Sequence, residues 1–239
     1  MTNNPFSQNE IVFEPIQHTY TYTKTGEKLT SVSHLIHNYV KPFDESGFLL
    51  RKCAAKEGVS VDTLRDRWDK KRNDACDRGH LWHEQIESFL ISGKISDGPD
   101  KDIVKKVKNN IKFEGIIYPE VLVYSTDLMI CGTADIVEFF PKSNELIIKD
   151  WKTNENLYKK CYNKLLYPLN YLKDDQITKY SLQLSTYAYL LELRGYTVRA
   201  KDLCIFWINP ESRDVEQIPV KYMRADVIKM IDHYVNGIF

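Results

Sequence analysis

Two stretches, Leu128-Met129-Ile130-Cys131-Gly132-Thr133-Ala134-Asp135-Ile136-Val137 and Glu145-Leu146-Ile147-Ile148-Lys149-Asp150-Trp151-Lys152, carry the reading of this chain. Each is an apolar, strand-like run that meets a carboxylate, where an uncompensated charge would be costly. Pro141-Lys142-Ser143-Asn144 between them has turn composition. Two antiparallel strands joined there bring Asp135 and Asp150 side by side, which calls for a neutralising cation. Lys152, two residues past Asp150, points to the same face of its strand. Two acids and a lysine on one face suit hydrolysis of a phosphate ester, with oxygen ligands for a hard divalent cation and an ammonium for the developing charge.

With 239 residues, 43% apolar and 28% charged, the composition fits one ordinary globular domain. No apolar run is long enough for a bilayer, and the start lacks a basic region followed by a hydrophobic one, so an intracellular, cytoplasmic protein without membrane contact is expected. The cysteines Cys53, Cys76, Cys131, Cys161 and Cys204 are odd in number and form no C-x-x-C, which favours buried free thiols over disulfides or a metal cluster. Net charge is zero, so nucleic-acid binding would rest on local patches. Candidates are Arg65 to Arg72, Lys105 to Lys108, and Lys159, Lys160 and Lys164 interleaved with Tyr158, Tyr162 and Tyr167, where charge and stacking rings coincide. Taken singly, such a run is more often a solvated helix face.

Along the chain, His18 to Leu29 has hairpin character, Ser31 caps a short helix to Tyr39, a second helix begins at Asp44 and stops at Gly58, and a third runs from Ser60 to Trp68. Helical periodicity returns from Asp74 to Ile91 and from Lys101 to Phe113. Three strands follow as a meander: 116–123, 128–140 and 145–151. An aromatic-rich helix is expected over 158–171, a strong helix over 176–194, strands over 203–208 and 215–220, and a closing helix over 225–234. The order predicts one α/β domain with a central mixed β-sheet flanked by helices and a helical N-terminal region. Within it, 1–73 forms the N-terminal hairpin and helices, 74–220 the catalytic core and 221–239 the C-terminal helix.

His83 and Glu87 stand a turn apart on one helix face after Arg78-Gly79. The imidazole either joins the carboxylates as a ligand, with Glu87 orienting it, or is a half-buried histidine beside Trp82. The order H-x-x-H-E at His80, His83 and Glu84 does not match the zinc-peptidase motifs. Glu120, on the preceding strand, lines the site or faces solvent.

The set Arg78-Gly79-x-x-x-His83-x-x-x-Glu87, Pro119-Glu120, Gly132-Thr133-Ala134-Asp135, Asp150-Trp151-Lys152-Thr153 and Gln183-Leu184-x-x-Tyr187 resembles the PD-(D/E)XK nuclease superfamily. It is similar above all to the branch of RecB-type domains, CRISPR-adaptation nucleases and the mitochondrial genome maintenance exonuclease. The resemblance implies a restriction-endonuclease-like core in which His83, Asp135, Asp150 and the Trp151 carbonyl hold Mg²⁺ or Mn²⁺ and Lys152 positions the water. Gln183 and Tyr187 would support the lysine or touch the DNA backbone, and Glu87 and Glu120 would be outer or alternative ligands. The cysteine set of the iron-sulfur members is missing, so no cluster is expected. The implied activity is that of a deoxyribonuclease, an exonuclease on single-stranded DNA ends ahead of an endonuclease, in a phage-like replication, recombination or repair setting with partners from those processes. Arg78, Tyr158, Lys159, Lys160 and Tyr162 are the DNA-binding candidates. Competing readings are a nucleic-acid-binding or complex-forming protein with little turnover, and a transferase or phosphatase on this fold.

Overall fold

The computed structural model describes residues 4–7, 9–14, 17, 19–42 and 47–237. Residues 1–3, His18 and Asp44 lie outside the described residues, and with them the readings placed there. The chain opens with a three-stranded meander, β1 (Ile11–Glu14), β2 (Thr19–Tyr22) and β3 (Lys28–Ser31), whose first strand the sequence did not signal. Helices α1 (Val32–His37), α2 (Phe48–Glu57), α3 (Val61–Ser92) and α4 (Lys101–Asn110) follow. Side-chain caps start two of them: Ser31 accepts from the His34 N–H at 3.2 Å, and Ser60 from the Thr63 N–H at 3.1 Å.

The stretches read as separate helices at 60–68 and 74–91 are one helix of 32 residues, so a division at 73/74 falls inside α3. Its first half has little apolar periodicity because only Leu64 there is buried, against Leu50 and Ala54 of α2. What sustains the helix is charge: Arg65 pairs with Asp62, Lys70 with Asp74 and Arg72 with Asp69, each three or four residues apart. Arg67 and Lys71 reach Glu57 and Glu155. The basic run is therefore neutralised within the protein.

Strands β4 (Ile116–Ser125), β5 (Ile130–Phe140) and β6 (Glu145–Lys152) form the expected meander. After helix α5 (Gln176–Glu192) come β7 (Thr197–Val198), β8 (Cys204–Ile208), β9 (Val215–Pro219) and α6 (Arg224–Val235). Residues 158–171 are turns and irregular chain rather than helix, because Leu165 and Leu169 are buried while Tyr158, Tyr162, Tyr167 and Tyr171 point outward at no helical period. The described strands make one nine-stranded mixed sheet, parallel where β3 meets β5 and where β6 meets β7 and β8, and antiparallel elsewhere. Helices α1, α5 and α6 cover one face over a core that includes Leu35, Val137, Ile148, Leu184 and Val227. The second half of α3 and α4 cover the other, packing Trp82, Ile86, Ile103 and Val107 on Ile136, Trp151 and Phe206. No helix among the described residues is long and apolar enough to cross a membrane. The thiols depart from the expectation of burial: Cys131 and Cys204 are buried, Cys53 and Cys161 half-buried and Cys76 exposed, all unpaired.

On the sheet, Glu138 and Lys149 are buried and joined at 2.5 Å. The other Glu138 oxygen accepts the backbone N–H groups of Glu114 and Gly115 at 2.5 and 2.7 Å, tying the α4–β4 connection to the sheet. Burial alone would raise the Glu138 pKa, but Lys149 and these two N–H groups hold it below the ordinary carboxylate value. Removing one member of a buried pair strands the other. Lys149→Met should therefore cost about 3 kcal/mol of stability, read as a lower urea midpoint with unchanged slope.

Candidate active site at the parting of two strands

The β5–β6 ladder runs from Phe140 opposite Glu145 to Ile136 opposite Lys149 and stops there. The next positions in that register are Asp135 and Asp150. Beyond them the strands separate: β6 continues alongside β8, with Asp150 opposite Ile205, and the start of β5 is flanked by β3 through Ile130 and Cys131. Gly132 to Asp135 thus line a fork between β3 and β6. The Trp151 N–H donates to Asp135 Oδ2 at 2.7 Å, so a carboxylate takes the place of a ladder carbonyl.

Face alternation breaks at the same point. Ile130 and Ala134 share a core with Val137 and Phe139, so β5 skips one step of its alternation beside Asp135. On the neighbouring strand Pro119 is opposite Ile136 and Val121 opposite Ala134, leaving Glu120 across from Asp135 with a left-handed φ of 49°. Glu120 is in the site because the backbone turns there, which no strand periodicity announces.

Helix α3 passes over the fork. His83 Nδ1 stands 3.4 Å from Asp135 Oδ2, and His83, Glu84 and Glu87 line a cleft of about 500 Å³ with Glu120, Asp135, Gln183 and Tyr187. The N-terminal meander closes another wall, with the Tyr20 hydroxyl 3.1 Å from Thr133 Oγ1. One turn earlier on α3, Gly79 admits β6: a Cβ there would stand 3.0 Å from Thr153 Oγ1. Gly132 likewise admits α5, since a Cβ would meet Tyr187 Cε1 at 2.7 Å.

Lys152 lies against Asp150 as an ion pair made through Asp150 Oδ2, which is buried and takes no other hydrogen bond. The ammonium also sits 4.8 Å from the centre of the Tyr180 ring, whose hydroxyl donates to Asn154 at 3.2 Å. Tyr180 is thus the aromatic neighbour of the lysine, whereas the sequence offered Gln183 and Tyr187 either that place or contact with the DNA backbone. Those two instead bond each other at 3.1 Å and wall the cleft. The i, i+4 motif was visible in the sequence; which tyrosine meets the lysine depends on the crossing of α5 over β6. The Trp151 ring is buried on Phe206 at 4.7 Å between centroids.

The charges are unbalanced. Asp135 is carried well above the usual carboxylate range, first by burial and then by Asp150. Glu120 is pushed up to about 7 by desolvation, then by Glu87 and Asp150. Burial works to lower Lys152, but Asp150 and Asp135 outweigh it and hold the ammonium protonated. His83 falls to about 4, mainly by burial, and is a neutral imidazole with a lone pair to offer. Buried carboxylate oxygens in excess over one cation match the donor chemistry of a hard divalent ion. Among the described residues, no group of three or more His, Cys, Asp or Glu side chains is placed to hold a metal ion.

Of the DNA-binding candidates, Lys159, Lys160 and Tyr162 line a groove of about 750 Å³ between α3 and the start of α5, beginning at Asn154. Tyr162 is 90% exposed and free of the core. Tyr158 instead packs edge-on against Trp207. Arg78 lies between this groove and the carboxylate cleft on α3.

No family model and no curated protein matches the sequence. Among solved structures, the crystal structure of SSO0001 is similar with a TM-score of 0.41 and 16% identity, over 88% of this chain and 77% of that one.

A carboxyl whose pKa is raised by folding binds its proton more tightly in the native state, so stability falls as pH rises from the unfolded value through the folded one. In EDTA, the melting temperature should fall as pH rises above the ordinary carboxylate value of 3.8, because the Asp135 carboxyl is held above it in the folded protein. Asp135→Asn should flatten that fall and melt at least as high as the parent at the upper end, checked by calorimetry.

Proposed function

We propose that this chain is a metal-dependent nuclease that hydrolyses DNA phosphodiester bonds, built on the PD-(D/E)XK core its motifs resemble and working from single-stranded ends. The observation that carries the reading is the placement of Asp135 and Asp150 opposite each other where β5 and β6 part, with Lys152 on one and His83 beside the other. Asp135, Asp150 and His83 would hold Mg²⁺ or Mn²⁺, with the Trp151 carbonyl as a further oxygen. The bound ion would supply an activated water and stabilise charge on the phosphate.

The chain's own groups divide the remaining work. Lys152, held protonated by its acidic neighbours, serves as a fixed hydrogen-bond donor to the water or to a phosphate oxygen and not as a base. Neutral His83 presents an unprotonated nitrogen toward the acids. The Trp151 N–H fixes the orientation of the Asp135 carboxylate. Tyr180 and Tyr187 shield the lysine and the cleft from bulk water, which strengthens each of these interactions. Exposed Tyr162 with Lys159 and Lys160 in the adjoining groove favours single strands, whose bases are free to stack.

Incubation with end-labelled linear and closed circular DNA, with and without Mn²⁺, tests the reading. Metal-dependent loss of linear single strands is expected, with closed circles spared. Asp150→Asn should stay folded and cleave at least about 100-fold more slowly. An Asp150→Asn protein as active as its parent, or a parent that leaves every substrate intact, would overturn the assignment.

Mn²⁺ should also raise the melting temperature of the parent, since a ligand of the native state shifts unfolding by mass action, and EDTA should reverse it. His83→Ala should reduce that gain while leaving the metal-free melting temperature nearly unchanged. A large loss of metal-free stability with a full Mn²⁺ response would identify His83 as a packing residue instead.

A further inference from the structure

Arg78 is half-buried on α3, and its Nε and Nη2 are buried without a hydrogen-bond partner. Among the described residues the guanidinium makes no hydrogen bond or ion pair; its contact is with the Trp82 ring, 5.7 Å from the ring centre. The indole Nε1 of Trp82, itself 2% exposed, is also without a partner. Two neighbouring carboxylates are committed elsewhere. Asp74, one turn earlier on α3, holds Lys70 at 2.9 Å, and Glu155, whose charge Arg78 feels, holds Lys71 at 2.7 Å. A desolvated guanidinium fork left without an anion is costly for folding alone and is what a phosphate group satisfies.

Its location selects which phosphate. Gly79, the next residue, sits under Thr153 Oγ1, one residue beyond Lys152, and the Thr153 hydroxyl makes no hydrogen bond among the described residues. Five residues on, His83 reaches Asp135, about 7.5 Å further along the helix axis. On the other side, Ala75, Arg72 and Lys71 continue the same face of α3 into the groove that Lys159, Lys160 and Tyr162 line. Arg78 therefore stands between the groove and the two acids.

We infer that Arg78, with the Thr153 hydroxyl, binds a phosphate of the substrate strand next to the scissile one and so sets the register in which the strand enters from the groove. The inference rests on the nuclease reading for the identity of the ligand, a nucleic-acid backbone, and assigns Arg78 no part in bond breaking.

The test is binding without cleavage. Fluorescence anisotropy of a labelled oligothymidylate with the full chain in EDTA, over a series of KCl concentrations, gives affinity and its salt dependence. Arg78→Ala is expected to weaken binding at least about tenfold and to reduce the slope of log affinity against log salt by about 0.7, the loss of one phosphate contact on a single strand. Arg78→Lys should restore the slope but not the full affinity, because a point charge lacks the fork. With Mn²⁺ present, Arg78→Ala should raise KM with little change in kcat, opposite to Asp150→Asn. An Arg78→Ala protein with parental affinity and slope but a lower melting temperature would mean that the guanidinium only packs on Trp82, and would overturn the inference. Arg78-dependent binding without any metal-dependent cleavage would overturn the nuclease reading and leave the phosphate site standing. A parent chain that binds no oligonucleotide overturns both.

Discussion

A β-sheet can divide only if the backbone groups freed at the division find other partners, and here that requirement falls on the Trp151 N–H. Where β6 leaves β5, this donor would be stranded in the interior; Asp135 Oδ2 accepts it at 2.7 Å. The same carboxylate that satisfies the sheet is opposite Asp150, beside His83 and across from Glu120. Structure and chemistry therefore share one side chain. The fork stays open because β3 flanks one arm and β8 the other, and because Gly132 and Gly79 let α5 and α3 come close enough to roof it.

Electrostatics assign the roles that geometry alone leaves open. Desolvation acts on every group in the fork, yet in different directions: it lifts Asp135 and Glu120 toward neutrality and drives His83 to about 4, while the acids keep Lys152 charged. The result is a neutral nitrogen, a fixed ammonium and a surplus of carboxylate oxygen. On the proposed reading, a divalent cation would relieve both acids at once.

Elsewhere the chain spends its cations on itself. Net charge is zero, and the basic run of α3 is held in pairs by Asp62, Asp69, Asp74, Glu57 and Glu155. Against that background, the cations that remain uncommitted near the fork gain meaning: Arg78 on its inner side, Lys159 and Lys160 in the groove beyond. A neutral protein can concentrate attraction for a phosphate chain along one path without binding it over the whole surface.

Two kinds of information separate along this chain. Local pattern was enough for the strands around Asp135 and Asp150, because a period of two and an intervening turn place both acids and Lys152 on adjacent strands whatever surrounds them. Capping serine and terminal glycine signals likewise marked α1, the start of α3 and its end. The unity of α3 is hidden because its first half buries little besides Leu64, and the aromatic-rich stretch 158–171 forms no helix because its outward tyrosines follow no helical period. Glu120 enters the site through a left-handed backbone step with φ 49°, and Tyr180 meets Lys152 because of where α5 lies against β6. Arg78 makes no ion pair while Glu155, whose charge it feels, pairs with Lys71, a residue far from Glu155 in sequence. Short-range periodicity fixes which side chains share a strand or a helix face; which charges end up paired, buried or free depends on distances between elements, and those exist only once the chain has folded.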